Sequence, residues 1–152
     1  MAYKVGLVVI ATNKYLDFVH PLWESAKKHF LVGQDITLFL FTNLTNKASQ
    51  VFKDDSKVRI LHQDHIPWPG STLFRYNIFD SAKQPLSEMD YIFYSDADML
   101  FVDSVGTEVL SDRVATTHPG FYASPREKFT YETNPASRAC VLPTEGLSYF
   151  AG

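Results

Sequence analysis

Apolar and polar segments alternate along the first part of the chain in the order expected for a parallel α/β sheet. Residues 5–10 form a continuous apolar and β-branched run, which is typical of a strand covered on both faces. After a polar break, apolar residues at helical spacing predict a helix with one buried stripe, formed from Leu16 onward by Val19, Leu22, Trp23, Ala26 and Phe30. Residues 36–41 and 58–61 are further apolar runs, and the polar segment between them is long enough for a short helix. The order β-α-β-α-β predicts a Rossmann-like sheet.

Turn residues and short apolar runs divide the remainder of the chain. Residues 62–70 predict a loop because they include Pro67, Trp68 and Pro69, and Ser71 or Thr72 is the expected N-cap of a helix that follows. That helix is expected from the spacing of the apolar residues Leu73, Phe74, Ile78 and Ala82. Residues 91–94 predict a short strand, and residues 114–117 predict another. The prolines beyond residue 118 indicate loops and short hairpins rather than a long helix.

Composition limits the class of protein and its partners. Of the 152 residues, 45% are apolar and 14% aromatic, which predicts one compact domain over residues 1–152. A net charge of −3 without a basic stripe excludes nucleic acid as an expected partner. The N-terminal apolar run is too short for a signal sequence or a transmembrane segment, so we expect a cytoplasmic or otherwise soluble protein. Cys140 is the only cysteine and is expected to be a buried structural thiol.

Two carboxylates stand where an open α/β sheet builds its ligand site. Asp96 and Asp98 flank Ala97 directly after the strand expected at 91–94, and ligands bind beyond the carboxyl ends of such strands. Mg²⁺ and Mn²⁺ take one or two carboxylates together with substrate phosphates, so the pair predicts a divalent metal that holds a diphosphate. In one alternative, Asp96 caps a helix and Asp98 is a solvated loop acid. A phosphatase motif is a second alternative, but it fails on Leu100 and on its position, since such motifs follow the first strand of their domain.

Several blocks in a fixed order carry a resemblance to a known family. They are residues 4–15, residues 29–33, residues 86–91 running into 96–99, His-Pro-Gly-Phe-Tyr at 118–122, and Phe-Thr-Tyr-Glu at 129–132. Together they resemble family 6 glycosyltransferases, the family of the histo-blood-group A and B transferases and α-1,3-galactosyltransferase, from Lys4 to Gly152. Residues 68–79 are more similar to the bacterial members, which usually carry Asn-x-Asn in place of the Asp pair. That similarity favours a microbial or viral source.

The resemblance implies a GT-A fold and a retaining hexosyltransferase. Its donor would be UDP-galactose or UDP-N-acetylgalactosamine, its acceptor a galactoside glycan, its product an α-1,3 linkage, and its cofactor Mn²⁺ or Mg²⁺. By position, the donor residues would be Ile10, Ala11 and Thr12 at the uridine, Tyr15 stacked on uracil, Arg75 at the sugar and diphosphate, and Asp96, Ala97 and Asp98, with both aspartates as metal ligands. His118 and Thr130 would contact the acceptor. Tyr15 as an ordinary residue of the first helical turn and Arg75 in a surface salt bridge are the alternatives.

The resemblance also leaves the catalytic carboxylate unassigned. Residues 149–152 match the start of a glycine-rich block that helps the family choose its sugar, and the family's catalytic glutamate would lie beyond Gly152. We therefore keep two alternatives to transfer: a truncated, non-catalytic UDP-sugar and metal-binding module, or a slow UDP-sugar hydrolase. An apolar surface left uncovered at the end of the chain would predict a homo-oligomer or aggregation.

Overall fold

Four parallel strands form the sheet around which the first part of the chain folds. The computed structural model describes residues 2–146, 148 and 149. It contains the strands β1 (Lys4–Ile10), β2 (Asp35–Thr42), β3 (Val58–His62) and β4 (Tyr91–Tyr94), in the spatial order β3-β2-β1-β4. The helices α1 (Leu16–His29) and α2 (Thr45–Val51) connect the first three strands. The predicted Rossmann-like α/β arrangement and each of these strands and helices are confirmed.

The central strand and the first helix supply most of the core of this sheet. β1 pairs with β2 on one side and β4 on the other, and its residues Val5, Val8 and Val9 are completely buried. The apolar stripe of α1 is buried as predicted, while Lys27 and Lys28 on its other face are exposed. Burying one such aliphatic side chain contributes roughly 1.5–3 kcal/mol. Burial on both faces explains why β1 is continuously apolar.

A polar contact ties α1 to the turn before β3. The indole Nε1 of Trp23 donates a hydrogen bond of 2.7 Å to Oδ2 of Asp55. Burial raises the pKa of the Asp55 carboxyl, but hydrogen bonds from the Trp23 indole and the Lys57 amide, with the charge of Lys27, outweigh it and lower the pKa. A buried indole therefore keeps its donor satisfied without leaving the core.

The helix predicted after Ser71 or Thr72 is instead a series of three short helices. They are α3 (Gly70–Leu73), α4 (Arg75–Asp80) and α5 (Lys83–Leu86). The predicted N-cap is wrong because the carbonyl of Pro69 already accepts the first helical bond, from the amide of Leu73 at 3.0 Å, which makes Pro69 the N-cap. Phe74 and Ala82 separate the helices, since their ψ angles of 12° and 24° depart from the helical value.

The chain divides into two compact units, residues 1–109 and residues 110–152. The prediction of a single domain over both stays a prediction. In the second unit the strand predicted at 114–117 is wrong: Val114 to Thr116 have no regular structure, and Val114 is 52% exposed. A β-branched run forms a strand when one face is buried, and this one is not. The described helical segments there are the short turns Pro119–Phe121 and Arg126–Lys128, and Cys140 is half-buried.

Aromatic rings form the packed centre of the second unit. Phe121, Phe129 and Tyr131 each lie with their ring centroid 4.5–5.4 Å from the centroid of Tyr149. Such tilted pairs pack apolar area while they avoid the repulsion between ring faces. Across the described parts of both units, none of the helices has the length and apolar character needed to cross a membrane.

Candidate functional site

The carboxyl edge of the sheet brings together the ends of β1, β2, β3 and β4. Beyond β1, the amide of Ala11 donates to the carbonyl of Phe41 at 2.8 Å; beyond β4, the amide of Ser95 donates to the carbonyl of Val8 at 3.1 Å. These bonds extend the ladder past the strand ends and hold the two following segments side by side. The residues predicted at the uridine and the Asp pair therefore lie on one edge of the first unit.

The segment after β1 is anchored in the core. Ile10 is half-buried and packs against a core cluster that includes Phe41, Ala11 is completely buried, and Thr12 is 7% exposed. The hydroxyl of Thr12 is 2.8 Å from Nδ1 of His65, a residue of the loop after β3. His65 is not among the site residues predicted from the sequence. No local signal marks it, because its contact depends on how the ends of β1 and β3 come together.

A pair of asparagines shapes the turn that follows Thr12. Asn13 has a φ of 53°, and its amide donates to Oδ1 of Asn43 at 2.9 Å. The Asn43 amide group donates back to Oδ1 of Asn13 at 2.8 Å. Asparagine tolerates this left-handed conformation better than most residues.

Tyr15 is the last residue of a short 3₁₀ helix, Asn13–Tyr15, that runs directly into α1 and has Tyr15 as the N-cap of α1. Tyr15 is 44% exposed, and Nζ of Lys14 lies 5.8 Å from its ring centroid. An exposed, flat ring beside the carboxyl edge is free to stack on a planar ligand.

Asp96 and Asp98 are both exposed, and Ala97 between them is buried at 4% exposure. The buried alanine anchors the turn, so the two carboxylates face solvent at the end of β4. Residues 95–106, all of which the structure describes, contain no helix, so Asp96 is not a helix cap, while Asp98 is an exposed turn residue.

The two carboxylates suit a metal ion whose remaining coordination positions are filled by a bound substrate. Within the described residues, no three or more His, Cys, Asp or Glu side chains cluster as a closed metal site. Two carboxylates are enough for Mg²⁺ or Mn²⁺ when substrate phosphates and water complete the coordination. The Asp pair thus suits a cation that arrives with a diphosphate better than a structural cation.

Arg75, at the start of α4, is a buried cation that lies against the ring of Tyr94, the residue whose hydroxyl bonds to Asp96. It is only 9% exposed, and its guanidinium carbon lies 4.3 Å from the ring centroid of Tyr94. Its Nε is fully buried and has no hydrogen-bond partner among the described residues. The alternative of a surface salt bridge is wrong. A buried donor without a partner is costly, so the unpaired Nε lowers the stability of the fold.

Tyr94 links Arg75 to Asp96, and sequence reasoning missed it. Its hydroxyl donates a 2.5 Å hydrogen bond to Oδ1 of Asp96. Burial raises the pKa of the Tyr94 phenol well above its ordinary value, and the bond to Asp96 adds to the rise, while Arg75 lowers it in part. The phenol therefore stays protonated and remains a donor. Tyr94 and Asp96 are two residues apart at a strand end, which puts their side chains on one face. That spacing was the signal in the sequence that could have identified Tyr94.

The residues predicted for the acceptor lie in the second unit. The ring of His118 lies 6.0 Å from that of Tyr149, and the Thr130 hydroxyl is 2.6 Å from the Tyr149 hydroxyl. Nδ1 of His118 also accepts from the amide of Gly120 at 3.1 Å. The structure thus brings the predicted donor residues together in the first unit and the predicted acceptor residues around Tyr149 in the second.

Comparisons with known proteins agree with this arrangement. The family model described as Glycosyltransferase family 6 matches residues 1–152. The chain is 36% identical over 152 residues to histo-blood group ABO system transferase 1 of Rattus norvegicus, covering 97% of the chain and 44% of that protein. It is 34% identical over 154 residues to globoside alpha-1,3-N-acetylgalactosaminyltransferase 1 of Homo sapiens, with the same coverage of 97% and 44%. The chain thus spans less than half of the length of these relatives.

The parallel sheet flanked by helices is the arrangement expected of part of a GT-A domain. The family match covers both units and every predicted site residue, from Ile10 to Thr130. The chain belongs to glycosyltransferase family 6.

Proposed function

We propose that the protein carrying this chain is a retaining hexosyltransferase. It transfers galactose or N-acetylgalactosamine from a UDP-sugar to a galactoside glycan through an α-1,3 linkage. The observation that carries the proposal is the exposed pair Asp96 and Asp98 at the carboxyl edge of the sheet, with the buried cation of Arg75 connected to Asp96 through Tyr94. The two relatives compared above are both named as transferases, which supports the reaction class.

The charges at the edge explain why the donor would need a cation. Two exposed carboxylates repel the negative diphosphate of a nucleotide sugar unless a divalent metal lies between them. Asp96 and Asp98 would hold Mn²⁺ or Mg²⁺, and the metal would stabilise the negative charge on the departing diphosphate. Arg75 would bring a second positive charge to the diphosphate, since its guanidinium lies against the ring of Tyr94, which bonds to Asp96.

The remaining residues divide between the two substrates. Ile10, Ala11 and Thr12 would line the uridine subsite, and the exposed ring of Tyr15 would stack on uracil. Ala97 would be the close backbone neighbour of the donor between the two metal ligands. In the second unit, His118 and Thr130 would contact the acceptor glycan, both supported by Tyr149.

Calorimetry of UDP binding tests the donor half of this proposal. UDP is titrated into the chain with and without Mn²⁺, and then into the double variant Asp96→Asn/Asp98→Asn. A matched control, Asp54→Asn/Asp112→Asn, removes the same charge from two exposed aspartates elsewhere. We expect binding that requires Mn²⁺, is lost in the first variant and persists in the control. Binding of equal strength with and without metal, or unaltered binding by the first variant, would overturn the metal assignment.

Turnover assays then separate transfer from the two alternatives. UDP-galactose and UDP-N-acetylgalactosamine are supplied with a β-galactoside acceptor, and both the disaccharide product and free sugar are measured. Disaccharide formation supports transfer. Free sugar alone indicates a hydrolase, and Mn²⁺-dependent UDP binding without either product indicates a binding module.

A further inference from the structure

The hydroxyl of Tyr94 holds the side chain of Asp96 in one orientation. Asp96 is exposed and lies beyond the end of β4, so neither strand pairing nor burial fixes its position. The 2.5 Å hydrogen bond from Tyr94 occupies Oδ1. The second carboxylate oxygen, Oδ2, has no hydrogen-bond partner among the described residues and stays available to a ligand. A bond of this kind from a phenol to a charged oxygen belongs to the stronger class of hydrogen bonds.

Tyr94 is itself held from three sides of its environment. Its backbone pairs with Val8 of the buried central strand. Its ring lies 4.3 Å from the guanidinium carbon of Arg75 and 5.7 Å from the ring centroid of Phe79. A cation against an aromatic face and a tilted ring pair both favour a fixed ring position. The hydroxyl therefore presents its hydrogen to Asp96 from a rigid support, whereas no described residue makes such a contact with Asp98.

We propose that Tyr94 is a positioning residue that orients Asp96 for the divalent cation. This inference rests on the proposed function of the Asp pair. A metal-ligating side chain that is already hydrogen-bonded to a second residue loses less rotational freedom when the metal binds. Removing such a second residue weakens metal affinity by roughly 10–100-fold. Asp96 is then the oriented ligand of the pair, and Asp98 the adaptable one.

The variant Tyr94→Phe removes the hydroxyl and keeps the ring against Arg75. Mn²⁺ is titrated into the chain in the presence of saturating UDP, and free Mn²⁺ is followed by its electron paramagnetic resonance signal. We expect Tyr94→Phe to weaken Mn²⁺ binding roughly tenfold, while the urea midpoint reports any general loss of stability. Tyr91→Phe is the matched control, because Tyr91 lies on the same strand and its ring packs on Tyr3, 5.2 Å between centroids, away from the Asp pair.

A double variant tests whether Tyr94→Phe acts on Mn²⁺ binding through Asp96. In an Asp96→Asn background, Tyr94→Phe should cause no further loss of Mn²⁺ affinity, since its target carboxylate is gone. Unchanged or tighter Mn²⁺ binding by Tyr94→Phe, or an equal loss in Tyr91→Phe, would overturn the inference while leaving the metal site in place. Absence of Mn²⁺ binding by the unsubstituted chain with UDP would overturn the proposed function and this inference together.

Discussion

Replacing Arg75 by methionine should separate stability from ligand binding. The substitution keeps a long apolar stem and removes the buried guanidinium. Its Nε is fully buried and unpartnered, and leaving such a donor without a bond costs about 1–3 kcal/mol. The contact with the Tyr94 ring, at 4.3 Å, returns about 0.5–2 kcal/mol. The free energy of unfolding of Arg75→Met should therefore change by between about −1 and +2.5 kcal/mol, with a small rise expected from the middle of the two ranges.

Urea unfolding followed by far-UV circular dichroism measures this change, provided that the m value is the same in both proteins. Arg59→Met is the matched control, since Arg59 is an exposed arginine on β3 and should change the unfolding free energy by less than about 0.5 kcal/mol. A fall of more than about 2 kcal/mol in Arg75→Met would refute the reasoning, because it would mean that Arg75 completes a buried ion pair.

Ligand binding should make the unsubstituted chain more stable than Arg75→Met, the reverse of their order without ligand. With Mn²⁺ and UDP at a hundred times the dissociation constant, the unsubstituted chain should gain about 2.7 kcal/mol of stability. Arg75→Met should gain clearly less at the same concentrations, since it lacks the cation that we assign to the diphosphate. Equal stabilisation of both proteins would contradict that assignment, although the metal site would be unaffected.

Three further predictions concern the fold. The folded pKa of Asp55 lies below its unfolded value, so its contribution to stability is present above about pH 4 and is lost as the pH falls through the folded pKa. The urea midpoint of Asp55→Asn should therefore depend less on pH between 2 and 6 than that of the unsubstituted chain. Equal pH dependence of the two proteins would contradict this. Gly6→Val should cost about 1–3 kcal/mol of unfolding free energy, since a Cβ there already meets two side chains at 3.2 Å; an unchanged urea midpoint would argue against such tight packing. Arg126→Ala should speed proteolysis near Glu145, whose carbonyl accepts from Arg126 Nε at 2.9 Å, whereas the exposed control Lys128→Ala should not.

Local patterns predicted the sheet because its determinants are local. A buried parallel strand needs a continuous apolar run, and residues 5–10 supply one; α1 needs a single apolar stripe. α3 begins at Gly70, before the expected cap at Ser71, and the break between α3 and α4 lies in the backbone of Phe74, whose apolar side chain fitted the helical spacing. Composition at 114–117 suited a strand, but burial decides strand formation, and Val114 is exposed.

The candidate site was only partly predictable for the same reason. The Asp pair follows a strand, so its place at the carboxyl edge could be read from the order of segments. The burial of Arg75 and its contact with Tyr94 join residues from α4 and β4, and no spacing along the chain encodes that contact. The positions of the donor and acceptor residues came from family resemblance, not from periodicity.

The strand order also determines when the site can assemble during folding. β4 pairs with β1, Val5 with Tyr91 and Val8 with Tyr94, so the last strand of the sheet to be synthesised docks beside the first. Contacts so distant along the chain close late, because the entropy of the long intervening loop opposes them. Asp96 therefore reaches the end of β1 only once β4 has docked. Appearance of Mn²⁺-dependent UDP binding during refolding would then time the completion of the sheet rather than its nucleation.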